Sequence, residues 1–290
     1  MLGVIFALGG ALFIALAQVA LRKSYKEFKP SVGFFFDALF GLALWVPLAL
    51  WMGVSLGVSF EQAILYAFIS AVLSEALYFY ALSHGELAVT ATVLATYPVY
   101  TVIFSRIIND EVLTAALFIF VALAIVGSIV ATLPDKLKKS ELKLRKEIVW
   151  PFVAAIGVGL SDTLSKGYIN RSGDFSFLFA LGFVQVPVAL AYLKLERESI
   201  ITAAKGAVKN FDVYKQALVG GLFNIIGTGF LWLSFSYAPA SVASPITGVS
   251  GALAVMFARF VFSERLSARK YFGITLALVG VLGIALFYKD

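Results

Sequence analysis

The sequence predicts an all-α integral membrane protein of ten transmembrane helices arranged as two inverted five-helix repeats. Three observations lead there. The chain is 61% hydrophobic and 14% charged, with a mean hydropathy of +0.94, which places it outside the soluble domains. Ten largely apolar stretches lie at 2–21, 31–51, 61–82, 88–107, 114–133, 148–168, 175–194, 214–237, 240–262 and 268–288. Each is close to the roughly 20 residues that a helix needs to cross the hydrocarbon core. Finally, Ala88–Leu133 lies over Ser241–Leu286 without a gap, 153 residues later.

Apolar stretches match one another by composition alone, so the evidence for the repeat is its punctuation. Arg106, Glu111, Leu113, Thr114 and Gly127 fall on Arg259, Glu264, Leu266, Ser267 and Gly280. Each copy closes a unit of five spans. An odd unit re-enters the bilayer from the opposite side, and this inverted topology recurs in secondary transporters. The expected organisation is a first repeat at 1–133, a charged linker at 134–147 and a second repeat at 148–290.

Span one carries Ala15-Leu16-Ala17, which resembles a signal-peptidase site. Its first basic residue, Arg22, follows the apolar run, whereas a secretory signal begins with positive charge. A retained helix is therefore expected, with Gln18 as its polar position. Span two holds Asp37 near its start, and an interfacial partner such as Lys29 or Arg22 would satisfy it. Glu75 lies deep inside span three, in Ser74-Glu75-Ala76-Leu77-Tyr78. Ionisable groups inside spans are expensive and are functional candidates by default. A low dielectric penalises the charged form, which suits a group that carries a proton or neutralises a cationic solute.

Span four contains Thr92, Thr96 and Tyr100, four apart and so on one face, together with Tyr97 and Pro98. Pro245 interrupts the counterpart span nine, although the two prolines do not align. Each proline removes an N–H and frees a carbonyl one turn earlier, which in lipid must face protein or a water-filled cavity. Paired interruptions in corresponding helices point to a central site. Thr114 and Ser267 stand at N-cap positions of spans five and ten, and Arg106 with Glu111 reads as an interfacial ion pair. A shift of 144 sets Asp162 in span six opposite Gln18 and Lys166 opposite Arg22. After span seven, Leu195–Tyr214 mixes charged and apolar residues and reads either as an amphipathic helix on the leaflet or as a solvated loop. Asn224, Thr228 and Trp232 in span eight share a face; Thr228 aligns with Glu75. Ser244, Thr247 and Ser250 follow in span nine. Gly220-Gly221, Gly227, Gly229, Gly248, Gly251, Gly280 and Gly283 allow close helix packing.

The candidate cavity lining is thus Gln18, Glu75, Tyr78, Thr92, Thr96, Tyr97, Tyr100, Asp162, Asn224, Thr228, Trp232 and Thr247, with Glu75 and Asp162 as the proton-coupling candidates. Helix–helix hydrogen bonds explain many of these residues equally well. One His (His84), no Cys and no H-E-x-x-H exclude the familiar zinc patterns. With no Gly-rich phosphate loop bearing a Lys, an ATP-driven pump is not expected. Neither a metal nor a cofactor nor an enzymatic activity is expected.

The net charge of +6 is explained by where it lies rather than by a nucleic-acid partner. Of the 23 Lys and Arg, 19 fall in the loops after spans one, five, seven and nine or at the helix ends beside them. Short basic loops stay cytoplasmic, so the charge bias predicts a multi-pass protein of the cell membrane with both termini outside.

One signature occurs twice: a helix with Pro, then Arg, then Glu-x-Leu-Thr/Ser, then a helix with a late Gly. The copies read Tyr97-Pro98…Arg106…Glu111-Val112-Leu113-Thr114 and Ser244-Pro245…Arg259…Glu264-Arg265-Leu266-Ser267. In this the chain resembles the EamA-type proteins of the drug/metabolite transporter superfamily, over almost its whole length. The resemblance implies ten helices, alternating access, and a central cavity lined by helices one, three, four, six, eight and nine. It implies cargo ranging from amino acids and other metabolites to drugs and sugar nucleotides. The expected partners are a small solute and the bilayer, with no nucleic acid, for a monomer or homodimer. The resemblance also implies cytoplasmic termini, against the charge bias. A lipid-handling role, such as a flippase of a lipid-linked substrate, is the alternative.

Overall fold

The computed structural model describes residues 1–24, 29–54, 60–84, 87–135, 146–209, 211–263 and 265–288, and among these every regular element is a helix. α1 is Leu2–Ser24 and α2 is Pro30–Met52. α3 runs as Phe60–Ser70, a π-helical turn Ala71–Ala76, and Leu77–His84. α4 runs as Leu87–Leu94 and Tyr97–Ile108, and α5 is Ala115–Thr132. In the second half α6 is Lys146–Ser172, α7 Asp174–Leu195, α8 Phe211–Ser234, α9 Ala240–Gly248 with Ser250–Phe262, and α10 Ala268–Phe287. Among the described residues nine helices are long and apolar enough to span a membrane. The tenth, α6, has the length, and Ser161, Asp162, Thr163, Ser165 and Lys166 are buried along it.

The backbone repeats at the shift that the side chains announced. α4 breaks where Thr96 N–H bonds to Val93 O, and α9 breaks where Val249 N–H bonds to Ile246 O; both pairs are 153 residues apart. Asp110 and Ser263, at the ends of these helices, are both left-handed, with φ of 55° and 53°. Thr114 caps α5 by accepting from Leu117 N–H, and Ser267 caps α10 by accepting from Lys270 N–H. The prolines do not align, yet the breaks do.

Packing obeys the same exchange of halves. α1 packs on α8 as α6 packs on α3, and α4 packs on α6 as α9 packs on α1. α2, α4 and α5 each meet their own counterparts α7, α9 and α10. The α5–α10 seam shows why the late glycine recurs. A Cβ on Gly127 would lie 2.2 Å from the Ala277 nitrogen, and one on Gly280 would lie 2.4 Å from the Ala124 nitrogen. Only bare backbone permits that approach. Away from the seams, Ile5, Leu12, Leu65, Phe118, Val126, Leu282 and Leu286 are exposed, the apolar belt expected of a surface that faces lipid.

The start of α1 and the end of α10 lie together beside the turn between α8 and α9, and the described parts of the basic loops lie at the opposite helix ends. On the basic face Lys29 pairs with Glu198 at 2.9 Å and donates to the Glu196 carbonyl at 2.8 Å; it does not serve Asp37. Between α7 and α8 the chain forms a short helix, Ile200–Lys209, in which Ile200, Ile201 and Val208 are exposed beside Lys205 and Lys209. This is the amphipathic form of the segment rather than a plain loop. Most of the charged linker (136–145), Glu264 and the His84 side chain lie outside the described residues.

Candidate functional site

The two interrupted helices touch at their interruptions. A Cβ on Gly248 would lie 2.6 Å from Pro98 Cγ, and the Tyr97 hydroxyl donates to the Ser244 carbonyl at 3.1 Å. Directly beside this crossing sits Asp162 of α6. Its Oδ2 accepts from the Ser244 hydroxyl at 2.6 Å and from the Thr101 hydroxyl at 3.4 Å, while Oδ1 has no partner among the described residues. A carboxyl group held at 0% exposure with one oxygen unpartnered is costly, so its retention calls for a functional explanation.

Two more carboxyl groups share this interior. Glu75 lies in the π-helical turn of α3, 3% exposed, and interacts electrostatically with both Asp162 and Asp37. A π turn widens the helix by one residue and is frequent at functional sites. Asp37 of α2 is 0% exposed and accepts twice from the Asn224 amide of α8, at 3.3 and 3.1 Å. Of the two expected partners, Lys29 is engaged elsewhere and the Arg22 side chain lies outside the described residues; the partner seen comes from the opposite half. Tyr78 faces Glu75 and hydrogen-bonds Gln18 of α1, and Tyr97 lies within electrostatic reach of Asp162 and Tyr78.

Gln18, Glu75, Tyr78, Tyr97, Asp162 and Asn224 therefore converge. The remaining candidates are placed differently. The Thr228 hydroxyl turns back on its own helix, donating to Asn224 O at 2.9 Å. Thr247 donates to the Ala7 carbonyl across the α1–α9 contact, and Thr96 to Val93 O at the helix break. Trp232 is packed edge-on between Phe177 and Phe235 in the apolar core. Tyr100 sits where α4 crosses Gly159 of α6, and Thr92 is half-buried on the same face.

The face of α4 that carries the polar contacts is instead Tyr97, Thr101, Ser105 and Asn109, also four apart. Ser105 meets the Thr163 hydroxyl at 3.2 Å, and the Asn109 amide donates to the Thr163 carbonyl at 2.9 Å. Its spacing was visible in the sequence, one residue round the helix from the Thr92–Thr96–Tyr100 stripe. This ladder leads from Asp162 toward the terminal face, where two adjoining cavities of about 330 and 350 Å3 open. Both are lined by Asn109 and Asn170; the first adds Lys166 and Glu111, the second Tyr66 and Arg171. None of the predicted lining residues borders either cavity.

Glu111 has a task that the sequence did not reveal. Its two oxygens accept from Ala240 and Ser241 N–H at 3.0 and 2.8 Å, capping α9 from the other half. Arg106 is exposed, and the expected Arg106–Glu111 ion pair is replaced by this cap. A helix N-terminus inside a membrane protein needs its N–H groups satisfied, and a carboxylate does so with favourable charge.

The model of the EamA-like transporter family matches residues 1–133 and 145–286, the two repeats one after the other. The chain belongs to this family. Members are membrane transporters of small solutes rather than enzymes, so this EamA-like chain is a multi-pass protein embedded in a lipid bilayer. A solved crystal structure of a protein 14% identical to it superposes with a TM-score of 0.72, covering 98% of this chain and 97% of the other. At that identity the likeness bears on the fold alone. No curated protein matches the sequence.

Proposed function

We propose that this EamA-like chain is a secondary transporter that moves a small organic solute, an amino acid or another metabolite, by alternating access. The halves 1–133 and 148–290 rock about the crossing of α4 and α9, with the linker 134–147 joining them on the basic face. Glu75 and Asp162 carry the coupling proton, Asp37 acts with them, and Gln18, Tyr78, Tyr97 and Asn224 line the passage. The observation that carries this reading is the cluster of three buried carboxyl groups beside the point where both helix interruptions meet. Carboxyl groups in one another's field titrate as a set, so occupation of one by a proton or a cationic solute changes the others. Breaks in paired helices leave carbonyls free to face a solute.

The basic face is read as cytoplasmic, in the cell membrane, with the termini outside. Because the chain has no cysteine, one cysteine added at the C-terminus reports this directly. Labelling of intact cells by an impermeant maleimide is expected; protection until lysis would give the opposite orientation.

The transport reading is tested by reconstituting the protein in liposomes with a panel of labelled amino acids and small metabolites, with and without an imposed pH gradient. Flux of one class that follows the gradient is expected. Flux that ignores the gradient but needs internal substrate would replace proton coupling by exchange, and no flux from folded protein would overturn the reading.

A further inference from the structure

Among the described residues Lys166 is the one buried cation, and the carboxyl cluster does not use it. It stands one helical turn from Asp162 on the same face of α6, is 7% exposed, and lines the cavity of about 330 Å3 on the terminal face. An ammonium has three donors. One goes to the Phe235 carbonyl at the end of α8. The Glu111 carboxylate acts on Lys166 electrostatically but gives both oxygens to the N–H groups of α9, and among the described residues no carboxylate forms an ion pair with Lys166. A buried cation without a contacting carboxylate is costly, and Lys166 borders the cavity.

The surroundings favour one kind of ligand. Asn170 stands exposed at the mouth shared by both cavities, Arg171 lines the second, and the Asn109 amide already bonds the α6 backbone. Lys166 and Arg171 against the single carboxylate Glu111 leave one net positive charge among the residues lining the two cavities, and Glu111 gives both oxygens to the α9 cap. The cavity volume is at the lower end of small-molecule sites.

We infer that this vestibule binds the carboxylate of a small organic acid or amino acid at Lys166, one turn short of Asp162. The inference deepens the transporter reading, since it names the solute class and the face on which that class is held. A solute anchored at Lys166 has the Asn109–Ser105–Thr101 ladder beneath it, leading to the carboxyl cluster.

Binding is the test, and it is read without flux. Purified wild-type protein in lipid nanodiscs is titrated calorimetrically with leucine, 4-methylpentanoate and leucinol. These share a branched chain and differ in which carry a carboxylate. The two carboxylates are expected to bind, with leucinol weaker by about tenfold or more, as for loss of a buried charge pair. If leucine binds and 4-methylpentanoate does not, the site takes amino acids; if both bind alike, it takes organic acids at large. Lys166→Met should weaken the carboxylates by about tenfold or more while Lys166→Arg keeps most of the affinity. Should Lys166→Met fail to fold, Asn170→Asp places a negative charge at the exposed mouth without touching the core, and it should weaken carboxylates and spare leucinol. Equal binding of leucinol, unchanged affinity in the folded Lys166→Met and Asn170→Asp variants, or no binding of either carboxylate to folded wild type would overturn the inference. Carboxylate binding without any flux would instead leave the site standing and remove the transporter reading.

Discussion

α3 and α8 occupy the same place in the two halves, and they have been put to different uses. At the 153-residue shift Glu75 stands on Thr228 and the π turn Ala71–Ala76 on Asn224–Gly229, which is ordinary α-helix. Thr228 returns its hydroxyl to its own backbone, whereas Glu75 faces two other carboxyl groups. The breaks, left-handed ends, N-caps and glycine seam are shared by both halves, while the buried acids are not. Symmetry supplies the scaffold and its moving parts, and the chemistry is added to it unequally.

That division is testable from its largest expected effect downward. Gly127→Leu and Gly280→Leu place side chains into facing backbone at the same seam. Each should cost about 1–3 kcal/mol or more through overpacking, read as lost folded yield or a lower Tm in detergent. Because the seam is symmetric, the two losses should be similar; a large disparity would break the claim of an equivalent scaffold. Next, Asp162→Asn keeps the shape of the group that receives Ser244 and Thr101. It should reduce gradient-driven flux about tenfold or more, the scale of a hydrogen-bonded charge, with Tm nearly unchanged. A fallen Tm with normal flux per folded molecule would make Asp162 a packing residue.

Glu111→Ala removes the cap that joins the first half to α9 and should cost about 1–2 kcal/mol, seen as a modest drop in Tm. The smallest effect is expected at Asp135 on the basic face. It accepts from Ser267 at 2.6 Å and pairs with Arg269 and Lys270 at 3.2 and 3.3 Å. The Ser267 hydrogen bond and then these cations hold its carboxyl below the ordinary value. A depressed folded pKa gives stability that is present above the unfolded value near 4 and is lost as pH falls through the folded value. Asp135→Asn should therefore melt slightly earlier than wild type at neutral pH, and the gap should close in acid. The pair is exposed to water, so the gap at pH 7 will be small.

What the sequence made legible follows from what periodicity records. Span positions, the repeat and the N-caps at Thr114 and Ser267 depend on local composition and spacing, and all were readable. Glu75 and Asp162 could be found because a carboxylate in an apolar run is conspicuous on its own. The Asp37 partner was not readable because Asn224 lies 187 residues away, and no local pattern encodes that distance. Glu111 was misjudged for the same reason, its acceptor role being set by where α9 begins. On α4 the stripe Thr92, Thr96, Tyr100 competed with Tyr97, Thr101, Ser105, Asn109. Both have helical spacing, and only the packing of α6 decides which one is used.

The central claim is that Glu75 of α3 carries proton chemistry that its counterpart Thr228 of α8 does not. The direct measurement is solute flux into liposomes across roughly pH 5 to 8 for wild type, Glu75→Gln and Thr228→Val, each normalised to folded protein. The account predicts that Glu75→Gln loses the pH dependence of flux, while Thr228→Val keeps the wild-type profile. Retained pH-driven flux in Glu75→Gln, or an equal loss in Thr228→Val, would contradict it.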